Sequence, residues 1–316
     1  MSSLTRNECA EFLRRHDRYA ILTHRRPDGD TVGSAATLCL GLRKLGKTAH
    51  IIENTEITAR YRHLHEGLTK AWPEEGDTVV SVDVASEKML PDAFRSLVGK
   101  IALRIDHHEI AASFTEQELV DPAAASCGEI IYDVLTAMGI RLDKAMAEAL
   151  YTAVSTDTGC FRYANTTAHA LRTAAACAEA GGDLFAINQA IFDTNSFRKL
   201  KIQSWITEHT DFLAGGKIAV CALPKAVEAE IGADEDDLDG ISGFVRSVEG
   251  VKIAALLREL PGGAVKASVR AVPEYDAAAV CAQFGGGGHR GAAGCTLKMS
   301  LAEAAEAIKS AMPDLK

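Results

Sequence analysis

The sequence lacks paired cysteines and long apolar runs, and each absence excludes a class of protein. Its eight cysteines are widely scattered, without a Cys-x-x-Cys pair. This spacing is poor for a zinc site and, in a chain of 316 residues, for a disulfide framework. No apolar run reaches the roughly 18 residues that a membrane-spanning helix needs, and the N-terminal residues are polar and charged. We therefore expect a cytoplasmic protein with reduced thiols, neither secreted nor inserted into a membrane.

Positive charge is also scarce. The chain has 34 Lys and Arg against 43 Asp and Glu, which gives a formal net charge of −9. Long nucleic acids bind through clustered Lys and Arg that neutralise many phosphates, so this balance argues against a long nucleic-acid track. Small phosphorylated ligands remain open, because a bound metal and a few local cations can meet their charge.

The apolar content is sufficient for more than one core. Apolar residues make up 47% of the chain, no low-complexity tract appears, and the length exceeds that at which a single core stops growing. We expect an α/β protein with a catalytic domain at residues 1–185 and a smaller α/β domain at residues 216–316. Residues 186–215 are expected to form a helical connector.

The first half alternates predicted strands and helices. The strands are predicted at 19–23, 49–52, 78–84 and 100–105, and the helices at 32–45, 126–138, 144–156 and 167–179. This alternation predicts a mainly parallel sheet with helices on both faces. Ligands of such sheets gather at the carboxyl ends of the strands.

The second half begins with a stretch from 184 to 212 that looks helical and amphipathic, part of which we assign to the connector. Gly215 and Gly216 then open a second block. Its strands are predicted at 217–223, 251–257, 264–270 and 295–299, and its helices at 238–247, 276–284 and 301–312.

A polar turn, His-Arg-Arg-Pro-Asp-Gly-Asp at residues 24–30, directly follows the first predicted strand. Gly29 lets the backbone turn sharply. His24, Asp28 and Asp30 offer three donors that suit divalent metal ions. The alternative is a turn whose aspartates cap the following helix.

Further acidic and imidazole groups follow other predicted elements. Asp83 lies at a strand end, Asp106-His107-His108 follows the next strand, and Asp157 ends a helix. Each group alone is as readily a helix cap, a turn or an exposed loop. Their recurrence at corresponding ends of elements predicts one shared metal site.

The number of candidate ligands indicates two metal ions. One catalytic ion that keeps open positions cannot use all of His24, Asp28, Asp30, Asp83, His107 and Asp157. Two ions bridged by a carboxylate and a water fit this set and suit displacement at phosphorus. The ligand types favour manganese or magnesium over a thiolate-selecting metal.

A glycine-rich segment at residues 284–294 reads Phe-Gly-Gly-Gly-Gly-His-Arg-Gly-Ala-Ala-Gly. Backbone without side chains at Gly287 and Gly288 can approach a phosphate closely, and His289 would add a donor. The alternative is a flexible loop. Ser268 and Arg270, on the predicted strand before it, either add phosphate contacts or lie on a solvated face.

Residues 41–48 match the pattern of a phosphate-binding P-loop, but we reject this match. A P-loop connects a strand to a following helix, whereas this segment ends a helix and precedes a strand. Its basic residues are favourably placed against the helix dipole.

Together these motifs resemble the DHH phosphoesterase family, named after the triplet seen here as Asp106-His107-His108. Residues 285–294 resemble the glycine-rich motif of the DHH-associated domain. The motifs extend from about His24 to Gly294, nearly the whole chain. Size and domain order are closest to the subgroup of bifunctional oligoribonucleases and 3′-phosphoadenosine 5′-phosphate phosphatases.

The resemblance implies two metal ions, manganese or alternatively magnesium or cobalt. One ion would be held by His24, Asp28 and Asp83. The other would be held by Asp30, Asp83, His107 and Asp157, so that Asp83 bridges the pair.

The resemblance also implies roles around the metals. His108 would face the scissile phosphate, and Asp106 would orient its neighbours. The family's substrate-contacting positions correspond here to Phe161, Arg162, Asn165, Arg270 and His289. Cys160 and Ala271 depart from the serines common in the family, which leaves the chemistry intact and puts details of substrate preference in doubt.

The implied activity is hydrolysis of short oligoribonucleotides to 5′-mononucleotides, together with dephosphorylation of 3′-phosphoadenosine 5′-phosphate. A cyclic or linear dinucleotide phosphodiesterase and a non-catalytic nucleotide sensor are the alternatives. A pyrophosphatase and a long-substrate exonuclease are disfavoured, the first by the glycine-rich segment and the second by the short, acidic chain. Homodimers are common in the family, but no sequence feature shows one here.

Overall fold

The structure, a computed structural model, describes residues 2–108, 113–238 and 240–315. The chain forms two compact units, Met1–Thr194 and Asn195–Lys316. The expected connector at residues 186–215 is therefore divided between the two units.

The first unit is built on a parallel sheet of seven strands. The strands are β1 (Ser2–Ser3), β2 (Tyr19–Leu22), β3 (Ala49–Ile52), β4 (Thr69–Lys70), β5 (Thr78–Val82), β6 (Ile101–Asp106) and β7 (Gln117–Val120). Their order is β1-β7-β6-β5-β2-β3-β4, and every neighbouring pair is parallel. The central strand β2 is buried throughout, as expected of a sheet covered on both faces.

The helices of the first unit are α1 (Arg6–Arg15), α2 (Gly29–Lys44), α3 (Ala59–Arg62), α4 (Cys127–Ala137), α5 (Lys144–Asp157), α6 (Ala168–Glu179) and α7 (Leu184–Asn188). Short 3-10 segments lie at His63–His65, Glu87–Met89 and Asp92–Lys100, and one π-helical turn at Gln189–Asp193. The main core lies between one sheet face and α1, α2 and α4. The 3-10 segment Asp92–Lys100 covers the other face through Phe94 and Leu97.

Side-chain caps fix where the main helices begin. Asp28 accepts hydrogen bonds from the first turn of α2, and Ser126 caps α4 in the same way. Asp143 and Thr167 cap α5 and α6. Because these caps are encoded locally, the predicted starts of α4, α5 and α6 lie close to the observed ones.

The second unit is a mixed sheet of six strands with helices on both faces. The strands are β8 (Thr210–Leu213), β9 (Ile218–Leu223), β10 (Ile253–Glu259), β11 (Val265–Ala271), β12 (Gly287–His289) and β13 (Ala292–Leu297), in the order β12-β13-β11-β10-β9-β8. Only β9 and β10 pair in parallel among the described residues.

The helices of the second unit are α8 (Phe197–Glu208), α9 (Lys225–Ile231), α10 (Glu235–Leu238), α11 (Ile241–Arg246), α12 (Ala277–Ala282) and α13 (Leu301–Ala311). Helices α12 and α13 pack on one face of the sheet, and α8 and α11 pack on the other.

The second half departs from the predicted elements in two places. The helical stretch predicted for 184–212 is broken before Ser196, which caps α8, and residues 210–213 form strand β8. The glycine-rich segment contains strand β12, which pairs with β13 to form a hairpin. In both places the segment pairs as a hairpin with the strand that follows it, β8 with β9 and β12 with β13, and neither helical periodicity nor glycine content reports such pairing.

Among the described residues, no helix has both the length and the apolar character needed to cross a membrane. All eight cysteines are free thiols.

Candidate metal centre

The parallel sheet brings three of the predicted motifs to one edge. His24 follows β2, Asp83 follows β5, and Asp106 is the last residue of β6. Strands β2, β5 and β6 are neighbours in the sheet, so their carboxyl ends lie side by side. Asp28 and Asp30 stand at the start of α2, and Asp157 is the last residue of α5.

The first cluster, which we call the His24 group, consists of His24, Asp28 and Asp83. His24 Nε2 lies 3.5 Å from Asp28 Oδ1 and 3.5 Å from Asp83 Oδ2. The other ring nitrogen, Nδ1, lies 2.8 Å from the carbonyl oxygen of Arg25. A carbonyl oxygen only accepts, so Nδ1 carries the proton and Nε2 is available as a metal ligand.

The second cluster, the His107 group, consists of Asp30, His107 and Asp157. His107 Nε2 lies 3.2 Å from Asp157 Oδ2 and 3.7 Å from Asp30 Oδ2. His107 Nδ1 lies 3.3 Å from the carbonyl oxygen of Ala124, which sets the same tautomer as in His24.

Asp83, a member of the His24 group, lies between His24 and the His107 group. Its Oδ2 faces His24, and its Oδ1 lies 3.5 Å from His107 Nε2. This Oδ1 is buried and has no hydrogen-bond partner among the described residues. The backbone of Asp83 has φ of 59°, a left-handed conformation that is uncommon for residues other than glycine and concentrates at functional sites.

Asp106 and His108 stand beside these groups. His108 Nδ1 lies 2.7 Å from Asp106 Oδ1, and the same oxygen accepts the backbone N–H of His107 at 2.8 Å. Asp106 therefore orients the ring of His108 and anchors the backbone of His107. His108 Nδ1 also lies 3.6 Å from Asp83 Oδ1.

Asp30 is fully buried and is held by the start of another helix. The backbone N–H groups of Cys127 and Gly128, at the N-terminus of α4, donate to its two carboxylate oxygens at 2.7 and 3.0 Å. Ser34 donates a third hydrogen bond at 2.9 Å. A helix N-terminus stabilises an anion, so α4 fixes this carboxylate in place.

Negative charge is crowded at this edge. Burial, followed by the charge of Asp83, raises the pKa of Asp30 to about 8. Burial alone would lower the pKa of His107, but Asp157, Asp83 and Asp30 together raise it to about 9. Bound cations would relieve the same repulsion that these shifts reflect.

The donor atoms of each group lie close enough together for one metal ion. The ligand atoms of the His24 group lie within 4.8 Å of one another, as do those of the His107 group. Asp83, His107 and His108 form a third such set. Carboxylate and imidazole donors, with the orphaned oxygen of Asp83 between them, fit two divalent ions.

The three residues of the first unit that the resemblance assigns to substrate contact other residues of that unit. Asn165 Nδ2 lies 3.1 Å from the carbonyl oxygen of Asp157 and 3.2 Å from that of Ala125. Arg162 Nε donates to the carbonyl oxygen of Gly159 at 2.6 Å, and the ring of Phe161 lies 5.9 Å from that of Tyr151.

In the second unit, strand register aligns the implied substrate residues in two rows. Arg270 and His289 both pair with Ala292, and Ser268 and Gly287 both pair with Gly294. Directly opposed residues project from the same face, so Ser268, Arg270 and His289 share one face with small residues between them.

Two of the glycines in this segment are required because β12 and β13 lie close together, a requirement that was not predicted from the sequence. A Cβ on Gly288 would lie 2.6 Å from the carbonyl oxygen of Ala292, and one on Gly286 would lie 2.3 Å from that of Gly294. Both glycines therefore permit close pairing of β12 with β13. A Cβ on Gly287 would meet no atom within 4 Å, so its backbone is open to a ligand.

Several residues that support the site were not predicted from the sequence. The backbone of Cys127 and Gly128 carries no recognisable signal, because any residue at a helix start offers an N–H. Asn54, which donates to the carbonyl oxygen of His24 at 2.9 Å, was missed as well. The spacing of Gly29 and Gly33, four residues apart on one helix, was a usable signal for close helix packing.

Comparison with known proteins agrees with both units. The model of the DHH family, N-terminal domain, matches residues 18–154, and that of the DHHA1 domain matches residues 215–314. The bifunctional oligoribonuclease and PAP phosphatase NrnA of Thermus thermophilus is 32% identical over 92% of this chain and 88% of its own length.

Solved structures show the same fold. An exopolyphosphatase-related protein from Bacteroides fragilis superposes with a TM-score of 0.85 at 23% identity, covering 97% of this chain and 94% of that one. RecJ of Thermus thermophilus in complex with Mn²⁺ gives a TM-score of 0.54 at 16% identity, covering 97% of this chain and 53% of RecJ.

Proposed function

The chain belongs to the DHH family, and on this basis we propose that it is a phosphoesterase that hydrolyses phosphate esters of short nucleotides with two divalent metal ions. The position of Asp83 carries the proposal. One of its oxygens faces His24, and the other, which lacks a hydrogen-bond donor among the described residues, faces His107. A carboxylate so placed can bridge two ions.

His24, Asp28 and Asp83 would hold one ion, and Asp30, Asp83, His107 and Asp157 the other. When bound, the ions supply charge neutralisation at the phosphate and a water of lowered pKa. Manganese suits this mixture of carboxylate and imidazole ligands.

His108 is the residue we assign to the scissile phosphate. Asp106 holds its Nδ1, so the opposite ring nitrogen, Nε2, would face the substrate and stabilise the charge that develops on the phosphate oxygens. We assign Asp106 as a positioning residue, because it holds the ring of His108 and the backbone of His107.

For the substrate we propose oligoribonucleotides a few nucleotides long and 3′-phosphoadenosine 5′-phosphate. The name of the Thermus thermophilus relative includes both an oligoribonuclease and a PAP phosphatase. The shared face of Ser268, Arg270 and His289 on β11 and β12 offers a guanidinium, an imidazole and a hydroxyl to a phosphate group. The free thiols fit a reducing cytoplasm, where we place the reaction.

The test is a kinetic comparison of purified protein, with Mn²⁺ supplied, on RNA of two to five nucleotides, the adenosine bisphosphate, linear pApA and cyclic di-AMP. We expect release of 5′-mononucleotides from the short RNA and of inorganic phosphate from the bisphosphate. Faster turnover of cyclic di-AMP or pApA than of both would replace this substrate assignment with a dinucleotide phosphodiesterase. Tight nucleotide binding without any turnover would indicate a sensor.

A further inference from the structure

Two asparagine side chains each anchor the backbone around one of the two donor groups. Asn165 Nδ2 contacts the carbonyl oxygens of Asp157 and Ala125 at 3.1 and 3.2 Å. Asn54 Nδ2 contacts the carbonyl oxygen of His24 at 2.9 Å and Thr23 Oγ1 at 3.0 Å. A primary amide has two N–H hydrogens, so each asparagine uses both of its donors in holding the site.

Through its contact with Ala125, Asn165 also supports the segment that holds the other two members of the His107 group. The neighbouring carbonyl, that of Ala124, orients His107 through Nδ1 at 3.3 Å. The N–H groups of Cys127 and Gly128, a few residues further along, hold the carboxylate of Asp30. All three members of the His107 group therefore depend on segment 124–128 or on the end of α5, and Asn165 ties these two pieces of backbone together.

The end of α5 requires a hydrogen-bond donor from outside the helix. Asp157 is the last helical residue, and the final carbonyls of a helix have no partner within it. Two residues further on, Gly159, Cys160 and Phe161 have φ of 56°, 57° and 61°, a left-handed turn that is strained at the two non-glycine positions. Asn165 closes this turn onto the carbonyl oxygen of Asp157.

Asn54 anchors the backbone of the His24 group in a similar way. It follows β3, is 5% exposed, and its Oδ1 accepts the backbone N–H of Glu56 at 3.0 Å. Every polar atom of its side chain is thus engaged, with both donors directed at the loop that begins with Thr23 and His24.

We infer that Asn165 is a positioning residue for the ion held by the His107 group and that Asn54 is one for the ion held by the His24 group. The inference rests on the proposed function in that both groups must bind metal. It also gives Asn165 a different role from the substrate contact that the family resemblance implies, because its amide nitrogen is directed at the backbone.

The experiment is Mn²⁺ titration of the full-length protein, followed by electron paramagnetic resonance, which measures bound ion without substrate. The wild type should bind two ions. Asn165→Ala should weaken one of them by about 10–100-fold and leave the other unchanged, as loss of supporting hydrogen bonds around metal ligands does. In a His24→Gln background, where one ion remains, Asn165→Ala should weaken that ion and Asn54→Ala should not.

Asn7→Ala is the matched control, because Asn7 is an exposed residue of α1 and the substitution is the same. In turnover assays Asn165→Ala should recover nearly normal kcat when Mn²⁺ is raised, with the substrate KM unchanged. Wild-type affinity for both ions, or a raised substrate KM with unchanged metal binding, overturns the inference. A wild type that binds no Mn²⁺ instead refutes the two-metal proposal itself, so the two failures are distinguishable.

Discussion

A Cβ atom on Gly33 would lie 2.3 Å from the carbonyl oxygen of Ala149, so α2 and α5 contact each other backbone to backbone at this point. One turn earlier, a Cβ on Gly29 would lie 2.4 Å from Thr156 Cγ2. Asp30 follows Gly29 and Asp157 follows Thr156 in sequence. The two glycines therefore let the helices approach closely enough for both carboxylates to reach His107.

Replacing Gly33 by Ala should separate the two helices. The added methyl group has no space beside Ala149 and Ala153, and overpacking of this kind costs about 1–3 kcal/mol. We expect a lower free energy of unfolding, measured in urea, together with weaker Mn²⁺ binding. Gly243→Ala on α11 is the control, because a Cβ there meets no atom within 4 Å. Equal losses in both variants would show that the close packing is not the cause.

Asp83→Asn should separate metal binding from folding. Asparagine tolerates the left-handed backbone at this position, and the substitution removes one of the crowded charges. We expect the metal-free variant to have a Tm equal to or above that of the wild type, while the rise in Tm on adding Mn²⁺ is lost and kcat falls at least about 1,000-fold. Asp92→Asn, at an exposed position, should change neither property. Retained turnover in Asp83→Asn would refute the bridging role.

His108→Gln should slow the chemical step while both metal ions still bind. The side chain is assigned to the charge that develops on phosphate, and removal of one such donor typically lowers kcat by about 100–1,000-fold. Electron paramagnetic resonance of bound Mn²⁺ and kcat, measured on the same preparation, provide the test. A parallel loss of one ion would instead make His108 a metal ligand, which its 3.6 Å distance from Asp83 Oδ1 would permit.

Arg270→Met should weaken substrate binding rather than catalysis, because Arg270 is assigned to a substrate phosphate and not to a metal ion. We expect KM for the adenosine bisphosphate to rise by about 10–100-fold, the loss of a charge-assisted hydrogen bond, with kcat nearly unchanged. Lys266→Met is a suitable comparison, since Lys266 lies on the same face of β11 but pairs with Thr296, away from Ala292 and His289. Unchanged KM in Arg270→Met would remove this residue from the substrate site.

The stability of the fold should fall in mild acid because of His65. This side chain is buried, its Nε2 lies 3.0 Å from the carbonyl oxygen of Val32, and burial lowers its pKa to about 4. Between that value and about 6.5 the unfolded chain binds a proton that the folded chain does not, so stability rises with pH in this interval and is fully present above it. The wild type should lose about 2 kcal/mol more than His65→Gln between pH 7.5 and pH 5, measured by urea unfolding. Equal losses would show that the pKa of His65 is the same in the folded and unfolded states.

Much of the site was predictable from the sequence, because strand ends and helix caps are encoded locally. The turn after Leu22, Asp83 after β5 and the triplet at the end of β6 were all placed correctly at the carboxyl edge. The rejected P-loop match was rejected for the right reason, since Gly41 and Lys44 lie at the end of α2 and β3 follows. Helix α1 and strand β12 were not predicted. Helix α1 is fixed by packing against the main core of the first unit, and β12 by its hairpin pairing with β13.

The sequence by itself determined which donors exist and that they follow strands and helices, because residue identity, turn chemistry and hydrophobic period are properties of short segments. Only the tertiary structure decided that β2, β5 and β6 are neighbours, that Gly33 brings α5 against α2, and that both amide hydrogens of Asn165 are used on backbone. Of these relationships, all but the contact of Asn165 with Asp157 join residues separated by tens of positions. They are set by strand order and close packing, which depend on the whole unit folding at once.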